Sequence, residues 1–247
     1  MTAPRFLAPA AALAAARDAP GSPVVLEGAE ARHAAVVRRL AVGERVDVSD
    51  GLGTVVQGTV TAVAPDRVEV LAARWSIEPE PSPRIVVVQA LAKGDRSELA
   101  VEVLTEVGVD VIVPWQSERA VVQWRGDRGA RALERWRSTA REAGKQARRA
   151  RLPVVAELAA TTDVAVLLRE AALGVVLHED ADLPLVGSPV PTAGDVVLVV
   201  GPEGGISDGE LSVLGPEHVR RLGPHVLRTS TAGAIAVTVV TASSGRW

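Results

Sequence analysis

The later part of the chain alternates between short apolar runs and longer stretches in which apolar and polar residues mix. The apolar runs are rich in Val and Ile, as is typical of strands that are buried on both faces. Four of them are candidate strands: Ile85–Val88, Val109–Val113, Gly174–Leu177 and Asp195–Val200. Strands that alternate with helical patterns predict an α/β domain built on a mostly parallel sheet.

Two of the intervening stretches have a helical period. Residues 95–107 predict a helix with Leu99, Val103 and Val107 on its buried face, ended by Gly108. Residues 129–149 predict a longer helix, which carries many basic side chains.

The N-terminal part has a different pattern. Arg45–Gly51 and Thr54–Val63 alternate as strands joined by an Asp-Gly turn, Val68–Val70 continues the alternation, and Gly28–Leu40 has a helical period. This pattern predicts a small β-barrel over residues 1–76, of a kind that commonly binds RNA, although a plain β-rich accessory domain is the alternative. A Pro-rich linker at residues 77–83 separates it from an α/β domain at residues 84–247.

The amino-acid composition and the spacing of particular residues exclude several kinds of site. The chain has no Cys, which excludes disulfides and Cys nucleophiles and fits a reducing compartment. The histidines lack metal-ligand spacing, so no metal site is expected. The apolar run near the C-terminus is interrupted by Thr238 and Thr241 and is too short to cross a bilayer. Phe6–Ala16 matches a signal peptide poorly, so we expect a cytoplasmic protein without membrane contact.

The charge is unevenly distributed. The net charge of the chain is −3, yet Arg119–Arg151 holds 11 Lys or Arg and 3 Asp or Glu. Such clustering in an acidic protein is expected of phosphate contact, with a solvated helix face as the alternative. Arg141, Lys145 and Arg149 have four-residue spacing and are predicted to share one surface.

A Gly-rich loop follows the last long apolar run. Gly201-Pro202-Glu203-Gly204-Gly205 is neither G-x-G-x-x-G nor a P-loop, and Ser207 and Glu210 stand at capping-box spacing for a helix start. The loop predicts close backbone approach to a ligand, and a tight strand-to-helix turn is the alternative.

Several motifs occur together in a fixed order. After Lys93-Gly94-Asp95-Arg96, Thr105–Val109 and Glu142–Arg149 come the Gly-rich loop and then a segment from Leu222 through Leu227-Arg228-Thr229 to Ala232. In these motifs the chain resembles the SPOUT-class RNA methyltransferases, and among them the uridine-N3 methyltransferases of small-subunit ribosomal RNA. It departs from their pattern at Ser230, where Glu is frequent, and at Ile206, where an aromatic residue is common.

The resemblance implies a C-terminal trefoil-knotted domain of α/β class and a PUA-like N-terminal barrel. It implies methylation of N3 of a uridine, at the position numbered 1498, in 16S ribosomal RNA within the small subunit. A 2′-hydroxyl of another RNA and a non-catalytic RNA-binding module are the alternatives. The implied S-adenosylmethionine pocket consists of Leu177, His178, Glu179, Gly201, Glu203, Gly204, Gly205, Ile206, Leu222, Gly223, Val226 and Leu227.

The catalytic candidates are Arg228, to stabilise the base or its phosphate, and Glu203, as a proton acceptor. Their structural alternatives are that Glu203 caps a helix and that Arg228 pairs with Glu203. A homodimer is also implied, and the helix predicted over Thr231–Ser243 is apolar on most sides. The candidate RNA-binding residues are Arg32, His33, Arg38, Arg39, Lys93, Arg96, Arg119, Arg141, Lys145, Gln146, Arg148 and Arg149.

Overall fold

The structure, a computed structural model, describes residues 3–246 and groups the chain into two units. The first unit extends to Glu80 and also includes Gly144–Leu152, and the second contains Pro81–Ala143 and the remainder from Pro153. The division after Glu80 falls inside the Pro-rich segment. The sequence did not predict that a later segment belongs to the first unit.

The first unit is built on a five-stranded sheet of order β1-β3-β4-β5-β2. β1 runs parallel to β3, and the other pairs are antiparallel. Phe6, Leu26, Val56 and Val68 are among the buried side chains of its core. Its elements are β1 Arg5–Leu7, α1 Ala10–Asp18, β2 Val24–Glu27, α2 Gly28–Arg32, β3 Arg45–Ser49, β4 Thr54–Ala64 and β5 Arg67–Ile77.

The helix predicted over Gly28–Leu40 is wrong in part. Its α-helical portion ends at Arg32, and His33–Val37 forms a π-helical turn in which the Arg38 N–H donates to the His33 carbonyl at 2.8 Å. Arg39 then has a φ of 53°, in the left-handed region, which stops the helix.

Gly144–Leu152 joins the first unit through backbone hydrogen bonds. The Ala150 carbonyl accepts from the Gly53 N–H at 3.0 Å and from the Ser49 hydroxyl at 3.2 Å. The Leu152 N–H donates to the Gly51 carbonyl at 2.9 Å. These bonds tie the segment to the end of β3 and to the turn that follows it.

Lys145 lies within this segment and is 7% exposed. Its Nζ is 2.7 Å from Glu30 Oε1. The prediction that it shares an open surface with Arg141 is therefore wrong, because its charge is used in a buried ion pair.

The second unit is built on a six-stranded parallel sheet of order β11-β9-β10-β6-β7-β8. The strand-helix alternation predicted from the sequence is confirmed. Its elements are β6 Arg84–Ala90, α3 Arg96–Glu106, β7 Val111–Trp115, α4 Gly126–Gln146, β8 Val154–Val155, α5 Thr161–Glu170, β9 Leu173–Leu177, β10 Asp195–Val200, α6 Asp208–Leu214, β11 Val219–Arg220 and α7 Thr229–Ser244. The last residues of α4, from Gly144, belong to the first unit.

Helices cover both faces of this sheet. Leu104 of α3, Trp136 of α4 and Val237 of α7 belong to the core on one face. Val164 of α5 and Leu214 of α6 belong to the core on the other face. Within residues 3–246, no helix is long and apolar enough to span a membrane.

The buried face of α3 differs from the predicted one. Leu99 is 43% exposed, whereas Ala100, Leu104 and Thr105 are buried. The two helices α3 and α7 approach closely, since a Cβ added to Gly233 of α7 would lie 3.1 Å from Leu104 Cδ2 of α3.

Candidate functional site

A cavity of about 290 Å³ opens beside the carboxyl ends of β9 and β10. The last residues of these two strands, Leu177 and Val200, line the cavity. Ligands of open α/β sheets bind at this edge, where loops rather than side-chain layers fill the space.

Three loops line the cavity. They are Leu177–Glu179, the Gly-rich loop from Gly201 to Ile206, and the segment Arg221–Thr229, which leads into α7. These are the loops that the resemblance implied. The full lining is Arg96, Leu177, His178, Glu179, Val200, Gly201, Pro202, Glu203, Gly205, Ile206, Arg221, Leu222, Gly223, His225, Val226, Leu227, Arg228, Thr229 and Ala232.

Gly204 is the one predicted cofactor residue that lies outside this lining. A Cβ added there would be 3.2 Å from both Arg119 Cβ and the Arg119 carbonyl oxygen. Its lack of a side chain lets the segment after β7 approach the Gly-rich loop, and Arg119 Nη1 donates to the Gly204 carbonyl at 3.3 Å. The glycine is needed for this packing rather than for direct contact with the cavity.

The Gly-rich loop has a fixed backbone. Gly205 has a φ of 72°, which favours glycine, and its N–H donates to the Pro202 carbonyl at 3.0 Å. A Cβ added to Gly201 would lie 2.7 Å from Ile206 Cγ1, so the loop is closed on itself. These glycines leave backbone N–H and C=O groups uncovered by side chains, next to apolar lining residues such as Leu177 and Leu222. This combination suits a ligand with both polar and apolar parts.

The capping box predicted at the start of α6 is confirmed. Ser207 Oγ accepts from the Glu210 N–H at 3.2 Å, and Glu210 Oε2 accepts from the Ser207 N–H at 3.3 Å. Glu210 is also buried, and its Oε1 accepts from the Glu118 N–H at 2.8 Å and from Thr161 Oγ1 at 3.1 Å. This second role, which anchors the segment after β7 to α6, was not evident from the sequence.

Glu203 faces the β6–α3 connection. Its Oε1 is 3.5 Å from Arg96 Nη1 and accepts from the Lys93 N–H at 3.2 Å. Both structural alternatives are therefore wrong, because Ser207 caps α6 and Arg96, rather than Arg228, pairs with Glu203. Arg96 was predicted as an RNA contact, and the structure places it in the lining of the cavity.

Arg228 stands at the rim of the cavity immediately before α7. It is exposed, and its guanidinium makes no hydrogen bond or ion pair to any residue in the described range 3–246. A charged group without a protein partner at the edge of a cavity is available to a ligand.

Thr229 and Gln89 form a buried polar pair that sequence reasoning missed. Thr229 Oγ1 donates to the Gly201 carbonyl at 2.6 Å and accepts from Gln89 Nε2 at 3.1 Å. Gln89 Nε2 also donates to the Ala90 carbonyl at 3.2 Å, while Gln89 Oε1 is buried without a partner among the described residues. The available signal was a polar residue within the apolar strand β6.

The other predicted RNA-binding residues are distributed over both units. In the first unit Arg32, Arg38 and Arg39 are exposed, and the half-buried His33 ring lies 6.0 Å from the Phe6 ring, centre to centre. Arg148 and Arg149 are half-buried in the same unit, where Gln146 is exposed. In the second unit Lys93, Arg119 and Arg141 are exposed.

No three His, Cys, Asp or Glu side chains of residues 3–246 are placed to hold a metal ion.

The chain matches two family models. Residues 78–241 match the RNA methyltransferase domain, and residues 26–72 match the RNA methyltransferase PUA domain. Among curated proteins, it is 43% identical to ribosomal RNA small subunit methyltransferase E of Mycobacterium bovis, over 92% of this chain and 89% of that one. The Bacillus subtilis protein of the same name is 26% identical, over 87% of this chain and 88% of that one.

Solved structures agree with this relationship. A Legionella pneumophila protein in complex with its bound cofactor S-adenosylmethionine aligns with a TM-score of 0.84 and 28% identity, over 98% of each chain. A ribosomal RNA small subunit methyltransferase E from Neisseria gonorrhoeae, bound to S-adenosylmethionine, aligns with a TM-score of 0.83 and 25% identity, again over 98% of each chain.

The fold, the cavity and these matches define an RNA methyltransferase that carries an N-terminal PUA domain. Within that class, the chain belongs to the family of ribosomal RNA small subunit methyltransferase E proteins. The resemblance inferred from the ordered motifs is confirmed.

Proposed function

We propose that this protein transfers the methyl group of S-adenosylmethionine to N3 of the uridine numbered 1498 in 16S ribosomal RNA. The observation that carries the proposal is the three-loop cavity with the unpaired guanidinium of Arg228 at its rim. Relatives with the same fold are bound to S-adenosylmethionine and are named for the small ribosomal subunit.

The cavity residues fit this cofactor. Leu177, Leu222 and Leu227 offer apolar surface for an adenine ring, and the Gly-rich loop offers backbone donors and acceptors beside it. When bound, S-adenosylmethionine supplies an electrophilic methyl group on a sulfonium. The protein contributes mainly by holding the cofactor and the uridine in line, which by itself removes much of the barrier.

Uridine N3 loses a proton during the reaction, so negative charge develops on the base. We assign the stabilisation of that charge to Arg228, and the assignment is supported by its guanidinium having no competing partner among the described residues. Glu203 stays a candidate proton acceptor, although its carboxylate is already engaged by Arg96 and by the Lys93 N–H. Of the two, Arg228 has the geometry that better suits direct contact with substrate.

The proposal includes a cytoplasmic homodimer that acts on RNA within the small subunit, with the final helix threaded in a trefoil knot. α7 supports the dimer because it leaves an apolar side chain uncovered: Ile235 is 41% exposed, between the buried residues Ala234 and Ala236. Exposed Arg32, Arg38 and Arg39 of the PUA domain supply charge for contact with RNA phosphates.

Mass mapping of modified nucleosides in ribosomal RNA tests the proposed target. RNA from cells without the gene should lack 3-methyluridine at this position, and the active enzyme should restore it. In purified form, Arg228→Ala should lower kcat far more than it lowers affinity for S-adenosylmethionine, whereas Arg169→Ala on α5 should change neither. A methyl group found on a 2′-hydroxyl, or no loss of 3-methyluridine, would refute the assignment.

A further inference from the structure

Helix α4 and the residue before it carry a group of exposed arginines, most of them without a partner among the residues that the structure describes. Arg125, just before the helix, and Arg128 and Arg131 in its first turns are exposed, and none of them pairs with a residue of the described range. Arg135 continues the row, with 62% of its side chain exposed and its Nε 3.5 Å from Glu98 Oε1. We call these four residues the α4 arginine face.

Helical geometry places Arg128, Arg131 and Arg135 together, because spacings of three and four residues keep them on one side, while Leu133 and Trp136 face the core. Arg125 is exposed immediately before the first residue of the helix, Gly126. The acidic Glu134 does not neutralise the row, because its carboxylate is 2.7 Å from Arg137 Nη1. Asp127 is the one other acid in this part of the helix.

The α4 arginine face begins at the same edge of the sheet as the cavity. A helix that follows a strand of a parallel sheet starts at the carboxyl edge, and α4 follows β7. Two contacts support this placement. Arg119, on the connection between β7 and α4, binds the Gly204 carbonyl, and Arg135 pairs with Glu98 in the same turn of α3 that carries Arg96 of the cavity lining.

The basic segment Arg119–Arg151 is therefore not equally available to a ligand along its length. At its later end, Lys145 is buried in an ion pair and Arg149 is half-buried with partners of its own. Nearer its beginning, Arg125, Arg128 and Arg131 are exposed and have no partner among residues 3–246. The phosphate-binding capacity predicted for the cluster is thus concentrated near the cavity.

We propose that the α4 arginine face binds the sugar-phosphate backbone of the RNA that flanks the target nucleotide. The proposal rests on the proposed function, and it specifies which surface of the methyltransferase domain grips the substrate. Arginine is suited to this role because its planar guanidinium donates to two phosphate oxygens at once. Unpaired arginines at this edge of the sheet bind RNA phosphates beside the cavity, and such contacts do not depend on the base sequence.

Binding of a naked small-subunit RNA transcript, measured without cofactor between 50 and 200 mM salt, tests the proposal. Each phosphate contact to single-stranded RNA contributes about 0.7 to the slope of log affinity against log salt. Replacing Arg125, Arg128 and Arg131 by Gln should therefore lower the slope by about 2. The advantage of the wild type over the variant should then shrink by about 16-fold across this range of salt.

A matched single substitution controls for general charge. Arg128→Gln should lower the slope by about 0.7, whereas Arg169→Gln on α5, which packs on the opposite face of the sheet, should leave it unchanged. In methylation assays the triple variant should show a raised KM for RNA, with kcat and the affinity for S-adenosylmethionine retained.

An unchanged salt slope and RNA affinity in a folded triple variant would overturn the proposal and leave the α4 arginine face as a solvated surface. An equal loss with Arg169→Gln would overturn it too. Failure of the proposed function has a different signature, because a methyl group on another atom would leave these binding measurements intact.

Discussion

Replacing Thr229 by Val tests whether the buried hydroxyl at the start of α7 shapes the cofactor cavity. Val has nearly the same volume and removes both hydrogen bonds, the one donated to the Gly201 carbonyl and the one accepted from Gln89 Nε2. Gln89 keeps its bond to the Ala90 carbonyl, so the main cost is one unsatisfied carbonyl.

An unsatisfied buried polar group costs about 1–3 kcal/mol, and the Gly201 carbonyl is only half-buried beside the cavity, so we expect a loss of about 1 kcal/mol in the free energy of unfolding. For a domain of this size, that corresponds to a fall in Tm of about 2–4 °C. Because Gly201 and Thr229 both line the cavity, affinity for S-adenosylmethionine should fall about tenfold.

Thermal unfolding and titration calorimetry measure these two effects. Thr229→Ser keeps the hydroxyl and should retain near wild-type cofactor affinity. Thr231→Val is the matched control, because its hydroxyl makes only a weak 3.3 Å bond to the Arg228 carbonyl. If Thr229→Val proves no more harmful than Thr231→Val in both assays, the hydroxyl does not organise the site.

Three further outcomes are expected. Gly204→Val should abolish S-adenosylmethionine binding in a folded protein, because its side chain would push Arg119 away from the Gly-rich loop; unchanged affinity by calorimetry would contradict this. Lys145→Met should lower the free energy of unfolding by about 3 kcal/mol, because the Glu30 carboxylate loses its cation and, among the described residues, keeps only the Leu7 N–H. Adding Glu30→Gln should restore most of that free energy in denaturant titrations. Light scattering at micromolar concentration should give about twice the chain mass of 25.7 kDa, and a fully active monomer would exclude the dimer.

The sequence predicted the parts of the fold that depend on local pattern. Runs of β-branched residues located the strands of the parallel sheet, and Ser207 with Glu210 located the start of α6. The cofactor loops came from ordered motifs, because no single glycine in them is specific. The knot stays a prediction of the family resemblance.

The incorrect or absent predictions have a common cause. Each concerns a residue whose environment is set by a partner that is distant in sequence. Leu99 is larger and more apolar than Ala100, yet Leu99 is 43% exposed and Ala100 is buried, because elements distant in sequence, such as α7, decide which side of α3 is covered. Lys145 looked like an exposed cation until Glu30 was brought beside it. The roles of Gln89 and Glu210 likewise follow from neighbours that only the folded chain supplies.

The inclusion of Gly144–Leu152 in the first unit affects how the protein forms during synthesis. The first unit cannot form the hydrogen bond from Ser49 to the Ala150 carbonyl, or the ion pair between Glu30 and Lys145, until Lys145 and Ala150 have been translated. With elongation at about 5–20 residues per second, it waits roughly 4–14 s after Glu80 is made. About two fifths of the second unit, Pro81–Ala143, must therefore be translated before the first unit is complete.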